Sequence, residues 1–307
     1  MQHFHNVEEI QLEDSWLTIG SFDGVHLGHQ QIIHALVAQA HKNKQPAVVV
    51  TFHPHPLLVI KEETRPFYLT LPEKRAQYLA ELGVDFILTY NFSKETSLLS
   101  AEAFIRVLHQ QLHFSQLWVG YDFALGKNRE GTPDRLKELG GLFGYELMEI
   151  PPFYVKEELV SSSRIRRSIR EGNMREAAAF LGRPFQISGR VISGENRGKS
   201  LGFPTSNLEV PEEMVNIKPG VYACQADVQG KSWKAVTNIG FRPTFGGGIE
   251  SPRIEAHLLD FSRDIYGEQI SLGFIDRLRD EMKFDQVSAL TAQIQSDIDQ
   301  TLQILKE

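Results

Sequence analysis

The sequence predicts two domains: an α/β domain built on a parallel sheet, then a small antiparallel β-barrel with a closing helix. Three observations carry this. The chain has 307 residues, about twice the length of an average domain. Up to residue 184, strand-like and helix-like segments alternate, which implies parallel strands joined by right-handed crossovers. Beyond it the apolar segments shorten and Gly, Pro and Asn separate them, the pattern of an antiparallel barrel.

Trp16 to Gly20 reads as the first strand, and Gln30 to His41 as a helix with Ile32, Ile33, Leu36, Val37 and Ala40 on one stripe. Ala47 to Phe52 is a β-branched run suited to a strand buried on both faces. Helices are expected over Leu71 to Leu82, Ala101 to His113 and Pro133 to Phe143. Strands are expected over Val84 to Tyr90, Gln116 to Gly120 and Tyr145 to Ile150. Ser161 to Leu181 is helical, with a break near Gly172-Asn173. Gly182-Arg183-Pro184 marks the boundary, giving domains 1–184 and 185–307. The barrel strands are expected at Phe185 to Ile192, Gly220 to Val228, Lys231 to Ile239 and Arg253 to Leu259. Phe284 to Leu305 closes the chain as a helix, with Val287, Leu290, Ile294, Ile298 and Leu302 in register.

Composition narrows the function. There are 32 basic and 39 acidic side chains, a net charge of −7, against the basic face that duplex-binding proteins carry. No nucleic-acid partner is expected. Apolar residues make up 41% and charged residues 23%, an ordinary globular balance. The single cysteine, Cys224, allows no internal disulfide and fits a reducing compartment. The start lacks a basic region followed by an apolar stretch, and no apolar run approaches the roughly 20 residues of a spanning helix. A cytoplasmic protein without a membrane partner is expected; oligomeric state is left open.

Gly20-Ser21-Phe22-Asp23-Gly24-Val25-His26-Leu27-Gly28-His29 is the most informative segment. It follows a strand and opens a helix. Gly20, Gly24 and Gly28 allow a tight turn and close approach of backbone to a ligand. A helix N-terminus offers free N–H groups and a positive dipole end to phosphate. His26 and His29, three apart, project to one side of the first turn. Two imidazoles there can hold triphosphate oxygens and stabilise charge built up by attack on an α-phosphorus. A histidine at such a turn can equally serve as a cap. Farther on, Arg164, Arg166, Arg167 and Arg170 cluster at a helix start beside Ser162 and Ser163. Hydroxyls there cap the helix or bind phosphate, and guanidinium forks bind phosphate; a solvated basic face is the other reading. Gly194-Glu195-Asn196-Arg197-Gly198-Lys199-Ser200 nearly spells a P-loop. It is one residue short and lies among barrel strands, so a Walker site is rejected. Arg197, Gly198 and Lys199 remain candidates for phosphate contact.

The Gly20–His29 segment resembles the GxFDGxHxGH form of the HxGH nucleotidyltransferase signature, which includes Phe22. With its flanks it is similar to the bacterial bifunctional riboflavin kinase/FMN adenylyltransferases, or FAD synthetases. Matching motifs follow in order: Thr51-Phe52-His53-Pro54-His55-Pro56, Asp122-Phe123-Ala124-Leu125-Gly126, Ser161-Ser162-Ser163-Arg164-Ile165-Arg166, Gly202-Phe203-Pro204-Thr205-Ser206-Asn207 and Arg253-Ile254-Glu255-Ala256-His257. The resemblance runs from about Trp16 to the end of the chain. It implies a Rossmann-like nucleotidyltransferase domain and a riboflavin kinase-like barrel. The implied substrates are ATP, riboflavin and FMN. It also implies that His55 and Asp122 border a flavin pocket and that Thr205 and Asn207 hold Mg2+. Glu255 becomes the general base for riboflavin phosphorylation, and Arg279 a flavin-site residue. Ser163, Ser206 and Lys199 stand where the family more often has Thr, Ala and Arg. A nucleotidyltransferase with one working activity, or a flavin-binding regulator without turnover, are the rival readings.

Overall fold

The structure is a computed structural model that describes residues 1–193, 201–241 and 252–306. The chain divides into two compact units, Met1–Ser162 and Ser163–Glu307.

The first unit holds strands β1 (Gln2–Phe4), β2 (Ser15–Ile19), β3 (Ala47–His53), β4 (Phe86–Asn91), β5 (Phe114–Gly120) and β6 (Glu146–Ile150). They form one sheet in the order β1-β4-β3-β2-β5-β6, and every pairing is parallel. Helices α1 (Leu27–Lys42), α2 (Pro56–Lys61), α3 (Pro72–Glu81), α4 (Lys94–Ser97), α5 (Ala101–Leu112) and α6 (Pro133–Phe143) connect them. A small hairpin, β7 (Tyr154–Val155) with β8 (Glu158–Leu159), follows β6. Side chains alternate across the strands, so the sheet feeds two cores. Leu17, Ile19, Val48 and Val50 pack against Phe104, Ile105 and Leu108 of α5 and Leu136 and Leu139 of α6. Trp16, Val49 and Ile87 pack against Ile33, Leu36 and Val37 of α1 and Ala76 and Leu79 of α3. This is the expected α/β architecture. The chain leaves β2 for β3 on one side and later returns to β5 on the other. The carboxyl ends of β2 and β5 therefore flank a topological switch point, where open α/β sheets bind ligands.

The second unit opens one residue into helix α7 (Ser162–Glu171), which α8 (Met174–Leu181) follows after the expected break. Strands β9 (Phe185–Ile192), β10 (Ser206–Glu209), β11 (Gly220–Val228), β12 (Lys231–Phe241), β13 (Pro252–Leu258) and β14 (Gln269–Arg279) follow. They close a barrel in the order β10-β13-β12-β11-β14-β9, with antiparallel pairing throughout. The last helix, Val287–Ile304, lays Ile298 and Leu302 over Val221, Val236 and Leu259.

That helix corrects one expectation. Val287 heads the apolar stripe in sequence yet is 63% exposed. The two residues of the helix that are fully buried are polar, Asp297 and Thr301. They continue the line of Leu290 and Ile294 at spacings of three and four, so the buried face is turned by about one residue from the apolar stripe.

Candidate active sites

The first site begins at the end of β2. In the loop between Ile19 and α1, Phe22, Gly24 and Val25 all have positive φ, at 45°, 85° and 41°. Glycine takes that conformation without strain, whereas Phe and Val do not. The loop is held in this shape by buried polar contacts. The Asp23 carboxylate, 1% exposed, accepts hydrogen bonds from the backbone N–H of Leu69 and Thr70 and from the Thr70 hydroxyl. The Gly24 N–H donates to Thr70 Oγ1 at 2.9 Å. Arg75, also fully buried, donates to Thr70 O, Phe52 O and Thr51 Oγ1. Thr51 in turn donates to Ser21 O. Asp23, Thr70 and Arg75 thus clamp the loop onto the end of β3. The sequence reading missed this role, because Asp23 lies far along the chain from Thr70 and Arg75.

His26 is the N-cap of α1, and its Nδ1 accepts the His29 N–H at 3.2 Å. Since Nδ1 accepts, a neutral His26 carries its proton on Nε2, the nitrogen able to donate. The two imidazoles stack with centroids 3.5 Å apart and planes 16° from parallel. The edge of Phe22 meets His29 at 5.1 Å. The helix cap and the stacked histidine pair are therefore one arrangement. Gly28 makes it possible: a Cβ there would sit 3.3 Å from the His26 ring. The Phe22 ring, in a residue 2% exposed, supports His29 edge-on. A Cβ on Gly20 would press the Phe22 ring at 3.0 Å, so that glycine makes room for the ring.

A cleft of about 250 Å³ opens beside the pair. His26, Gly28 and His29 line it from the end of β2, Gly120, Tyr121 and Asp122 from the end of β5, and Ile150 to Phe153 from the end of β6. It lies at the switch point. Ser162 completes it, its hydroxyl donating to Asp23 O at 2.8 Å. Among the expected residues His26, Gly28, His29, Asp122 and Ser162 meet here. Tyr121, Pro151 and Phe153 were not anticipated; loops after strands carry no spacing signature. His55 does not line this cleft. It caps α2 through Nδ1 to the Leu57 N–H, with its ring against Phe67. Ser163 begins the second unit. There the Arg164 guanidinium lies 5.2 Å over the Phe180 ring, and Arg166 is 5% exposed. The arginine cluster is not a uniformly solvated face.

The second site lies on the barrel. Glu255 on β13 stands opposite Asn207 of β10 on one side and Asn238 of β12 on the other. A cavity of about 270 Å³ is lined by Thr205, Asn238, Glu255, His257 and Arg279 on its polar side. Leu201, Phe203, Met282, Phe284, Leu290 and Ile294 make its apolar side. Arg253, two residues before Glu255 and so on the same face, forms an ion pair with its carboxylate and reaches Asn207 Oδ1 at 3.4 Å. His257 Nδ1 lies 2.7 Å from Pro204 O; a carbonyl only accepts, so Nδ1 carries the proton. Arg279 reaches the cavity, but its guanidinium is engaged. It donates twice to the buried Asp297 carboxylate and once to Asp280 O. Sequence reasoning named Glu255, Thr205, Asn207 and Arg279 and missed Arg253, His257 and Asp297. The pairing of Asp297 with Arg279 is visible only once the last helix docks. Arg197, Gly198 and Lys199 lie outside the described residues.

Comparison with known proteins agrees with this division. A family model described as FAD synthetase matches residues 8–164, and one described as riboflavin kinase matches residues 181–305. Curated relatives named bifunctional riboflavin kinase/FMN adenylyltransferase include one from Escherichia coli (strain K12). It is 36% identical over 95% of this chain and 93% of its own. Another, from Listeria monocytogenes, is 37% identical over 92% and 89%, and a third, from Bacillus subtilis, is 34% identical over 96% and 94%. A solved structure described as a macrolide-efflux protein from Streptococcus pneumoniae superposes with a TM-score of 0.89, at 31% identity over 98% of both chains. Among the described residues no helix is long and apolar enough to cross a membrane. With both family models matched in order and relatives aligned almost end to end, the chain belongs to the bifunctional riboflavin kinase/FMN adenylyltransferase family.

Proposed function

We infer that this chain is a FAD biosynthesis enzyme that phosphorylates riboflavin with ATP to FMN, then joins FMN to the AMP part of a second ATP. The observation that carries this is the pairing of two family matches with two separate cavities. One is lined within residues 26–162 and the other within residues 201–297. A single-activity transferase would leave one cavity and one match without a use.

In the adenylyl transfer an FMN phosphate oxygen attacks the α-phosphorus of ATP, and the bond to pyrophosphate breaks. His26 and His29 at the head of α1 are assigned to the leaving phosphates. Imidazole donors and the helix N-terminus stabilise negative charge as it shifts to the leaving group. Phe22, Gly20, Gly24 and the Asp23–Thr70–Arg75 clamp hold that pair in place. Ser162, Ser163, Arg164 and Arg166 are assigned to the same phosphates, and Asp122 to the flavin side of the cleft. His55 keeps a flavin-side assignment, carried by the family motif alone.

In the kinase step Glu255 accepts the proton of the riboflavin 5′-hydroxyl as that oxygen attacks the γ-phosphorus and ADP departs. Arg253 orients the carboxylate. The apolar wall of Phe203, Met282, Phe284 and Ile294 suits a flat aromatic ring system. Arg279 shapes that wall through its bond to Asp297. The donors at hand for Mg2+ are oxygens: the Thr205 hydroxyl, the Asn207 amide oxygen and the neighbouring Glu255 carboxylate. That set fits a hard cation, and Thr205 and Asn207 would hold it. Bound there, Mg2+ would neutralise ATP phosphate charge. Arg197, Gly198 and Lys199 are assigned to the same phosphates on motif alone. The functional division is placed after residue 184, and a cytoplasmic location without nucleic-acid or membrane partners completes the reading.

The test is a chromatographic time course with riboflavin, ATP and Mg2+. FMN rising first and FAD second is the expected result. FMN alone would confine the activity to the barrel, and neither product would overturn the reading. His29→Ala should abolish FAD and spare FMN. Glu255→Gln should stop FMN formation while supplied FMN is still converted to FAD.

A further inference from the structure

We propose that His3, His5 and Glu73, none of which lines either cavity, form a binding site for a divalent transition metal of the zinc class. His3 lies on β1, the edge strand of the sheet, and His5 just beyond it. Side chains two apart on an extended segment share a face. Phe4, between them, packs into the core beside α5. The two histidines therefore face the other way, toward α3, whose first turn carries Glu73. One ligand atom from each of the three lies within 4.8 Å of the others. The imidazole centroids are 4.4 Å apart, and His3 Nδ1 stands 3.5 Å from Glu73 Oε2.

Ligand atoms around tetrahedral zinc, with bonds of about 2.1 Å, lie about 3.4 Å apart. His3 and Glu73 already meet that spacing. His5 and Glu73 are exposed, so rotation of their side chains can close the rest. Thr89 on β4 supplies the supporting contact. Its Oγ1 lies 2.9 Å from His3 Nε2. A proton on Nε2, donated to that hydroxyl, leaves the Nδ1 lone pair aimed at Glu73. Metal-binding histidines are usually fixed in this way by their other nitrogen. Two imidazoles and a carboxylate suit zinc, cobalt or nickel, whereas Mg2+ prefers an all-oxygen set. Bound metal would staple the edge strand to α3, leaving a fourth position to water.

The experiment uses the full chain, stripped with chelator and kept in excess Mg2+. Zn2+ is titrated by calorimetry, and Co2+ is followed by its visible absorption. The expected result is one tight Zn2+ per chain, a tetrahedral Co2+ spectrum and a Zn2+-dependent rise in Tm. His5→Ala and Glu73→Gln should each weaken binding tenfold or more and remove the rise in Tm, with both catalytic activities unchanged. His29→Ala should keep the zinc. Affinity that falls less than tenfold in both surface variants overturns the proposal, as does zinc binding that disappears with His29. Both variants replace exposed side chains, so loss of binding is not loss of fold.

Discussion

Asp23 sits inside the nucleotidyltransferase signature, yet its carboxylate faces the protein, not the cleft. It satisfies two backbone N–H groups and a hydroxyl in a site 1% exposed. Leaving such donors unpaired costs about 1–3 kcal/mol each before any loop strain is released. Asp23→Ala should therefore destabilise the chain by roughly 2–4 kcal/mol and lower FAD formation more than FMN formation. Thermal melts and the two separate assays would check this. An unchanged melting temperature would mean that the loop keeps its shape without the clamp. Cys224 makes a second case at this scale. Burial pushes the Cys224 thiol up to about 12, against a weaker opposing pull from the Thr237 hydroxyl. The thiolate is the reactive form, so native protein should resist iodoacetamide at pH 8, while protein unfolded in urea reacts fully. The folded thiol holds its proton where the unfolded thiol has lost one, so its contribution is complete below about 9 and is lost as pH rises toward about 12.

Among the elements, the last helix shows how a polar pair can outrank an apolar stripe. Asp297 and Arg279 join that helix to β14 by a two-pronged ion pair, with Asp297 3% exposed and Arg279 19% exposed at the side chain. Removing one partner of a buried pair strands a charge, at a cost of about 3–5 kcal/mol. Asp297→Ala should lose that much stability in denaturant titrations. The double change Arg279→Met with Asp297→Leu should recover most of it, since apolar replacements of similar volume often match a buried pair. If the double variant retains stability and still phosphorylates riboflavin with an unchanged KM, Arg279 acts on the pocket wall rather than on the flavin. Elements were legible in sequence where length and period spoke together: α6 spans Pro133–Phe143 as expected, and β9 and β11 run from Phe185 and Gly220 as expected. The missed strands are β1, β10 and β14, besides the two-residue strands β7 and β8. The first two are only three and four residues long and exist because partners distant in sequence pair with them. In β14 the run Asp276-Arg277-Leu278-Arg279 hides the alternation under charges that pair elsewhere.

At the scale of the molecule, the legible part of each site is the part confined to one continuous segment. The histidine pair and Glu255 each sit in a short motif that could be read directly. The walls around them could not. Tyr121 and Phe153 come from loops after β5 and β6, and Met282 and Leu290 come from the far end of the chain. Their joining depends on strand order, which leaves no local trace. The same division of the chain bears on how the intermediate travels. Each cavity is lined by residues of one unit alone; under the proposed function, each half-reaction would have its own binding wall and its own chemical groups. Under that assignment, FMN made at the barrel would leave one cavity before it enters the other. A mixture of His29→Ala chains, which make FMN, with Glu255→Gln chains, which convert it, should form FAD from riboflavin after a lag, though neither variant does so alone. Dilution should lengthen the lag, because the intermediate crosses between molecules. A mixture that accumulates neither free FMN nor FAD would mean that the product of the barrel is held until it is passed on within the same chain.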